Sequence, residues 1–240
     1  MNFFTFLNNG IFPYQTLTTT NFLIGLFGAA AVGYLLGSVN TAIVVSRLFY
    51  HDDVRKHGSG NAGLTNTFRT YGKKAALWTL AGDMIKTVLS VVIFGVLFGF
   101  MYTPGALSVS PFCYIAGLFA VLGHCFPAFY KLKGGKGVLV SATLALTLSP
   151  LLFVILFAIF VLIVATSKYV SLGSVSAVIL YPILLRAYMS FFYGQPLEIF
   201  MALTSILIAV IVVFRHWENL KRIGMRTERK FSFKREKHDD

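Results

Sequence analysis

Ser59, Asn61, Thr65 and Asn66 are set among Gly58, Gly60 and Gly63 in the stretch GSGNAGLTN, and Arg69 follows. Glycines permit positive φ and close backbone approach. Successive N–H groups in such turns form anion-binding nests. The hydroxyls and amides add donors, and Arg69 adds a cation with fork geometry. The alternative reading is a flexible connector, which has little reason to carry Ser, Asn, Thr and Arg at this density beside apolar helices. A second stretch, GGKG, surrounds Lys136 with Gly134, Gly135 and Gly137, which suits a lysine delivered against a phosphate over bare backbone. A third, RHWENLKR, puts His216 and Asn219 three apart and so on one helix face. Arg215, Trp217 and Lys221 around them fit interfacial anchors. The chemistry on offer is the holding of phosphate.

The same residues offer no obvious base or nucleophile. The glycine loop does not match G-x-x-x-x-G-K-[ST], and no G-x-S-x-G elbow or zinc-type Cys/His spacing occurs. Only nine residues are acidic, with no paired-carboxylate signature. His124, just ahead of Pro127, reads as a packing or kink-associated histidine, and Asp83 with Lys86 as an ion pair that braces the cationic site. Cys113 and Cys125, twelve residues apart in one helix, stand about 18 Å apart and cannot bridge within it.

The chain that positions these residues is 56% hydrophobic and only 12% charged, where a soluble domain carries about a quarter. It is expected to be an all-α integral membrane protein, a seven-transmembrane-helix bundle with one short or broken helix. The segments run from Phe22 to Tyr50, Ala75 to Tyr102, Pro111 to Lys131, Lys136 to Leu148, Pro150 to Ser167, Val170 to Phe192 and Pro196 to Lys221. The fourth is short: its length gives about 20 Å of helix against a hydrocarbon core of about 30 Å. No long polar linker divides the chain, so residues 1–240 form a single membrane domain. Residues 1–21 lack Lys and Arg, which argues against a cleaved secretory signal and suggests an interfacial segment; residues 222–240 form a basic cytoplasmic tail.

The net charge of +12 is a topology signal. Arg47, Arg55, Lys56, Arg69, Lys73 and Lys74 crowd one junction, Lys131, Lys133 and Lys136 another, and Lys168 a third. The tail is cationic as well, while the opposite loops offer only Arg186. Positive loops face the cytoplasm, so the N-terminus is expected outside and the C-terminus inside. The charge then serves membrane lipids, not nucleic acid.

GSGNAGLTNTFR, GHCFPAFYKLKGGKG, KYVSLGS and RHWENLKR, in this order and spacing, resemble the signature stretches of the PlsY-type glycerol-3-phosphate acyltransferases of bacteria. The likeness runs from Gly33 to Glu228. It implies transfer of a fatty acyl group from acyl-phosphate to the 1-hydroxyl of sn-glycerol 3-phosphate in the bacterial inner membrane, with the active site near the cytoplasmic face. Lysophosphatidic acid and inorganic phosphate would be the products. No cofactor and no metal are implied, and acyl-CoA is not the donor. A functional link to the enzyme that makes acyl-phosphate follows. The H-x-x-x-x-D motif of soluble-type glycerolipid acyltransferases is missing, because no histidine precedes an aspartate by five positions.

Carried over position by position, Ser59, Arg69, Lys136, His216 and Asn219 resemble the glycerol 3-phosphate site. Gly58, Gly60, Asn61, Gly63, Thr65 and Asn66 resemble the cradle for the acyl-phosphate's phosphate, and the acyl chain is expected in a groove open to lipid. The family's Gly-x-Glu element after the last stretch is not matched by IGMRTERK, so Glu228 receives no role. On residue chemistry alone, an anion transporter and a headgroup-binding scaffold stay open as alternatives.

Overall fold

The architecture is that of a computed structural model describing residues 18–98, 100–103, 106–109, 111–194 and 196–231. Most of the expected N-terminal segment and the end of the basic tail lie outside these residues. The first apolar segment is broken in two: α1 (Thr19–Ser38) and α2 (Thr41–Tyr50). Asn40 starts α2 by accepting from Ile43 N with its side chain. The break frees main-chain carbonyls in an apolar setting, which is costly unless they are capped. Lys86 caps two of them, donating to Gly37 O at 3.1 Å and to Val39 O at 2.8 Å.

The glycine-rich stretch is not all loop. After Gly63 it forms α3 (Leu64–Tyr71), because Thr67 closes the first turn onto Gly63 O and Phe68 O accepts from Gly72 N at the far end. The long α4 (Lys73–Phe98) ends four residues earlier than the apolar run suggests. Beyond it β1 (Phe100–Thr103) pairs antiparallel with β2 (Ala106–Val109), Thr103 opposite Ala106. A hairpin satisfies its own ladder of N–H and C=O groups, so the helix need not continue.

Next come α5 (Pro111–Cys125), α6 (Val138–Leu148), α7 (Pro150–Ser167), α8 (Val170–Tyr193), α9 (Ile199–Arg215) and α10 (Trp217–Gly224). Pro150 sits at the first turn of α7, where its missing N–H costs nothing. Five of the described helical stretches are long and apolar enough to cross a membrane, or six if α9 and α10, bent by 56° at His216, count as one. The eleven-residue α6 falls short of that length, which is why the count does not reach the expected seven.

α1 and α5 form the tightest seam. A Cβ at Gly33 or Gly37 would strike the main chain at Ala116 or Ala120, and one at Gly123 would strike Tyr34 O. Small residues allow this approach, which drives helix association where lipid removes the usual hydrophobic gain. α7 shows the opposite pattern: only Leu152 and Leu156 are fully buried, so most of its surface is left for lipid.

Candidate active site

The three polar stretches converge at one end of the bundle. Arg55, fixed by Asp53 at 2.6 Å, donates to Tyr130 O and Lys133 O, tying the glycine-rich segment to the 131–136 turn. Arg215 donates to Gly135 O at 3.0 Å and Gly134 O at 3.1 Å, tying the same turn to the end of α9. Between them opens a cavity of about 650 Å³.

Ser59, Arg69, Lys136, His216 and Asn219 all line it, as do Gly58, Asn61, Gly63, Thr65, Asn66 and Gly137. Gly58 and Gly60 both take positive φ, 57° and 69°, which folds the loop back over Asn66. The buried Asn66 amide accepts from Ser59 N and donates to Val54 O and His57 O, each at 3.0 Å. It braces the loop from beneath.

Gly60, Gly134 and Gly135 are not on the cavity wall. A Cβ at Gly134 would strike His124 O, and one at Gly135 would strike His124 Nε2. Gly135 N already donates to His124 O at 3.0 Å, so these two glycines let the turn pack on α5.

Lys136 donates to Asn219 Oδ1 at 2.6 Å, and Asn219 Nδ2 donates to Glu228 Oε1 at 2.6 Å. Glu228 also accepts from Ser171 Oγ at 2.7 Å and Arg222 Nε at 2.8 Å. Burial raises its carboxyl pKa, and the bonds from Asn219, Arg222 and Ser171 outweigh burial and hold it below the usual range. Burial pushes the Lys136 ammonium down to about 8; Glu228 opposes this, while Arg222, Arg215 and Arg69 add to it. His216 donates through Nδ1 to Val212 O at 2.8 Å, since a carbonyl only accepts. That leaves Nε2 as an acceptor. Arg69 makes no hydrogen bond or ion pair to another described residue, which leaves its guanidinium for an anion.

The far wall is apolar. Phe153, Leu156, Phe157 and Phe160 of α7 and Tyr181 of α8 line it, with the phenylalanine rings stacked in succession. One cavity therefore joins a donor-rich end to a hydrocarbon-like end.

The model of the family described as glycerol-3-phosphate acyltransferase matches residues 27–225. The chain belongs to this family. A glycerol-3-phosphate acyltransferase of Mycoplasmopsis agalactiae is 38% identical over 228 residues, covering 85% of this chain and 93% of the relative. One of Streptococcus pyogenes is 40% identical over 198 residues, covering 82% and 89%. The crystal structure of PlsY, an integral membrane glycerol 3-phosphate acyltransferase, in its glycerol 3-phosphate form, superposes with a TM-score of 0.74 at 29% identity, over 86% of this chain and 96% of that one. Its lysophosphatidic acid form gives 0.72 at 27% identity, over 87% and 96%.

This acyltransferase holds one wall residue that its motifs do not reveal by spacing. Glu228 is the anchor of the Lys136–Asn219 pair, although its Gly-x-Glu element looks absent. Arg226 takes a left-handed turn at φ 60°, and the chain beyond it brings Glu228 back onto Asn219. Arg222, Thr227 and Arg229 come to the wall with it, and Asp83 and His124 line it from α4 and α5.

Proposed function

We propose that this protein transfers a fatty acyl group from acyl-phosphate to the 1-hydroxyl of sn-glycerol 3-phosphate. The observation that carries this reading is the single cavity with cations and loop N–H groups at one end and stacked phenylalanines at the other. Two phosphates and one acyl chain are the chemistry that fits both ends.

Lys136, Arg69, Ser59, His216 and Asn219 hold glycerol 3-phosphate. The N–H groups that the Gly58–Thr65 segment does not spend on itself, such as those of Asn61, Leu64 and Thr65, cradle the phosphate of the donor, and Gly137 lets the turn beside Lys136 pack against Cys125 and Val121. The acyl chain lies along Phe153, Phe157 and Phe160. The hydroxyl oxygen forms the new ester bond at the acyl carbon, the bond from that carbon to the phosphate oxygen breaks, and the hydroxyl proton leaves on the released phosphate. An acyl-phosphate is an activated anhydride, so positioning and charge stabilisation suffice. No cofactor enters the scheme.

The same reading sets the chain in the bacterial inner membrane as one membrane domain, N-terminus outside and C-terminus inside, with α6 as a seventh, incomplete crossing. The junction, turn and tail meet at one end of the bundle, where Arg55 donates to Lys133 O, Arg215 to Gly135 O and Phe231 N to Lys168 O, which supports a shared cytoplasmic face. A functional link to the enzyme supplying acyl-phosphate follows from the donor.

The test is phosphate release by purified protein from palmitoyl-phosphate, with and without glycerol 3-phosphate, and with palmitoyl-CoA as a parallel donor. Release that needs glycerol 3-phosphate, with no turnover of the CoA ester, supports the reading. Equal use of the CoA ester, or no release at all, overturns it.

A further inference from the structure

Lys86 has three N–H groups, and all three are used: on Gly37 O, on Val39 O and on His124 Nδ1 at 3.1 Å. Asp83, three residues earlier, holds Nζ at 2.8 Å through Oδ1 as an ion pair, while its Oδ2 has no hydrogen-bond partner. His124 Nδ1, 3.7 Å from the carboxylate, is the atom that accepts from Lys86, so it has no proton to give. Asp83 is 1% exposed and lines the cavity. Ser141, on α6, lines it too, and its Oγ is buried without a partner. Buried polar atoms without partners are rare enough to need a reason.

Phosphate is not that reason, because a carboxylate repels it. What a carboxylate takes is a hydroxyl. Asn219 Oδ1 already takes Lys136, Asn66 Oδ1 takes Ser59 N and Glu228 takes three donors; His216 Nε2 and Asn61 are the neutral acceptors that remain on the wall, and Asp83 is the carboxylate there without a hydrogen bond. Glycerol 3-phosphate brings two hydroxyls. In the reaction above, which this inference rests on, the 1-hydroxyl gives its proton to the leaving phosphate. The 2-hydroxyl needs an acceptor of its own, and a carboxylate is the strongest that the wall offers. We propose that Asp83 accepts the hydrogen bond of the 2-hydroxyl and that Ser141 completes its coordination. The pair then selects a polyol phosphate over a simple hydroxyalkyl phosphate.

The experiment compares kcat/KM for glycerol 3-phosphate and for 3-hydroxypropyl phosphate, which keeps the reacting hydroxyl and lacks the other, using full-length protein and palmitoyl-phosphate. A site built around a hydroxyl rejects the deoxy analogue strongly, here by about 100-fold or more. Asp83→Asn should lower that ratio roughly tenfold, and Ser141→Ala roughly threefold to fivefold, through loss on glycerol 3-phosphate alone. Equal losses on both acceptors, or a wild-type ratio near one, overturn the proposal and leave the acyltransferase reading standing. Absence of turnover with glycerol 3-phosphate overturns that reading itself. If melting in detergent shows Asp83→Asn unfolded, the ratio in Ser141→Ala decides, because that change leaves the Lys86 cluster intact.

Discussion

Lys86 and Lys136 are both withdrawn from solvent, and they are held in opposite ways. Lys86 is fixed from three sides by two main-chain carbonyls and a ring nitrogen, with a carboxylate alongside. Lys136 makes one hydrogen bond among the described residues, to an amide that is itself held by Glu228. The first arrangement uses every proton on rigid neighbours and joins α1, α2, α4 and α5 at the chain break. The second leaves two protons over the cavity. Burial alone does not separate a structural lysine from one that binds ligand; the number of N–H groups left over does.

Replacing Lys86 is the harshest way to break this contrast. Lys86→Met uncaps two carbonyls and leaves Asp83 buried without its counter-charge. A loss of about 3–5 kcal/mol of stability is expected, read as a collapse of the melting transition in detergent and a poor folded yield. A variant that melts like the wild type would show that the break between α1 and α2 holds without its cap.

Lys136→Ala should do the reverse, with melting close to the wild type and turnover lost. Removing one preorganised donor from developing charge costs about 100-fold to 1,000-fold in kcat. Wild-type rates in that variant would remove Lys136 from the site.

The pH profile sharpens the same point. In the empty site the Lys136 ammonium titrates at about 8, so above that pH it is neutral and holds a phosphate dianion less well. A phosphate monoester has its second pKa near 6, so above about pH 8 the substrate is already a dianion and does not change. The expected result is a kcat/KM for glycerol 3-phosphate that falls above about pH 8, approaching tenfold per unit. Lys136→Arg, charged throughout, should lose the fall. A fall that persists in that variant would assign the titration elsewhere.

Much of the site was legible because its residues announce themselves by type. Lys136 between glycines, Arg69 after the loop, and His216 with Asn219 on one face all reach the cavity. Asp83 and Lys86 do meet at the i,i+3 spacing that suggested an ion pair. What stayed hidden depended on partners distant in sequence. Glycine reports a close approach and not its object: Gly134 and Gly135 approach His124, not the cavity. The break at Val39 is stabilised from another helix, and the local mark is slight: Asn40 caps α2 after Gly37 and Ser38. α3 was obscured by its glycine-rich approach and by its own residues, because Thr, Asn, Phe and Tyr in Leu64–Tyr71 are weak helix formers.

Arg226 is the smallest and most direct probe of what sequence alone concealed. The left-handed region costs a residue with a Cβ about 1–2 kcal/mol relative to glycine, and Arg226 adopts it at φ 60° with its side chain exposed. The turn persists because it carries Glu228 onto Asn219, and through Asn219 onto Lys136. Arg226→Gly should therefore raise the melting temperature by a few degrees, as about 1 kcal/mol does in a chain of this size, and leave kcat/KM unchanged. A loss of activity in that variant would mean that the arginine side chain, and not merely the turn it occupies, holds the Glu228–Asn219–Lys136 relay in place.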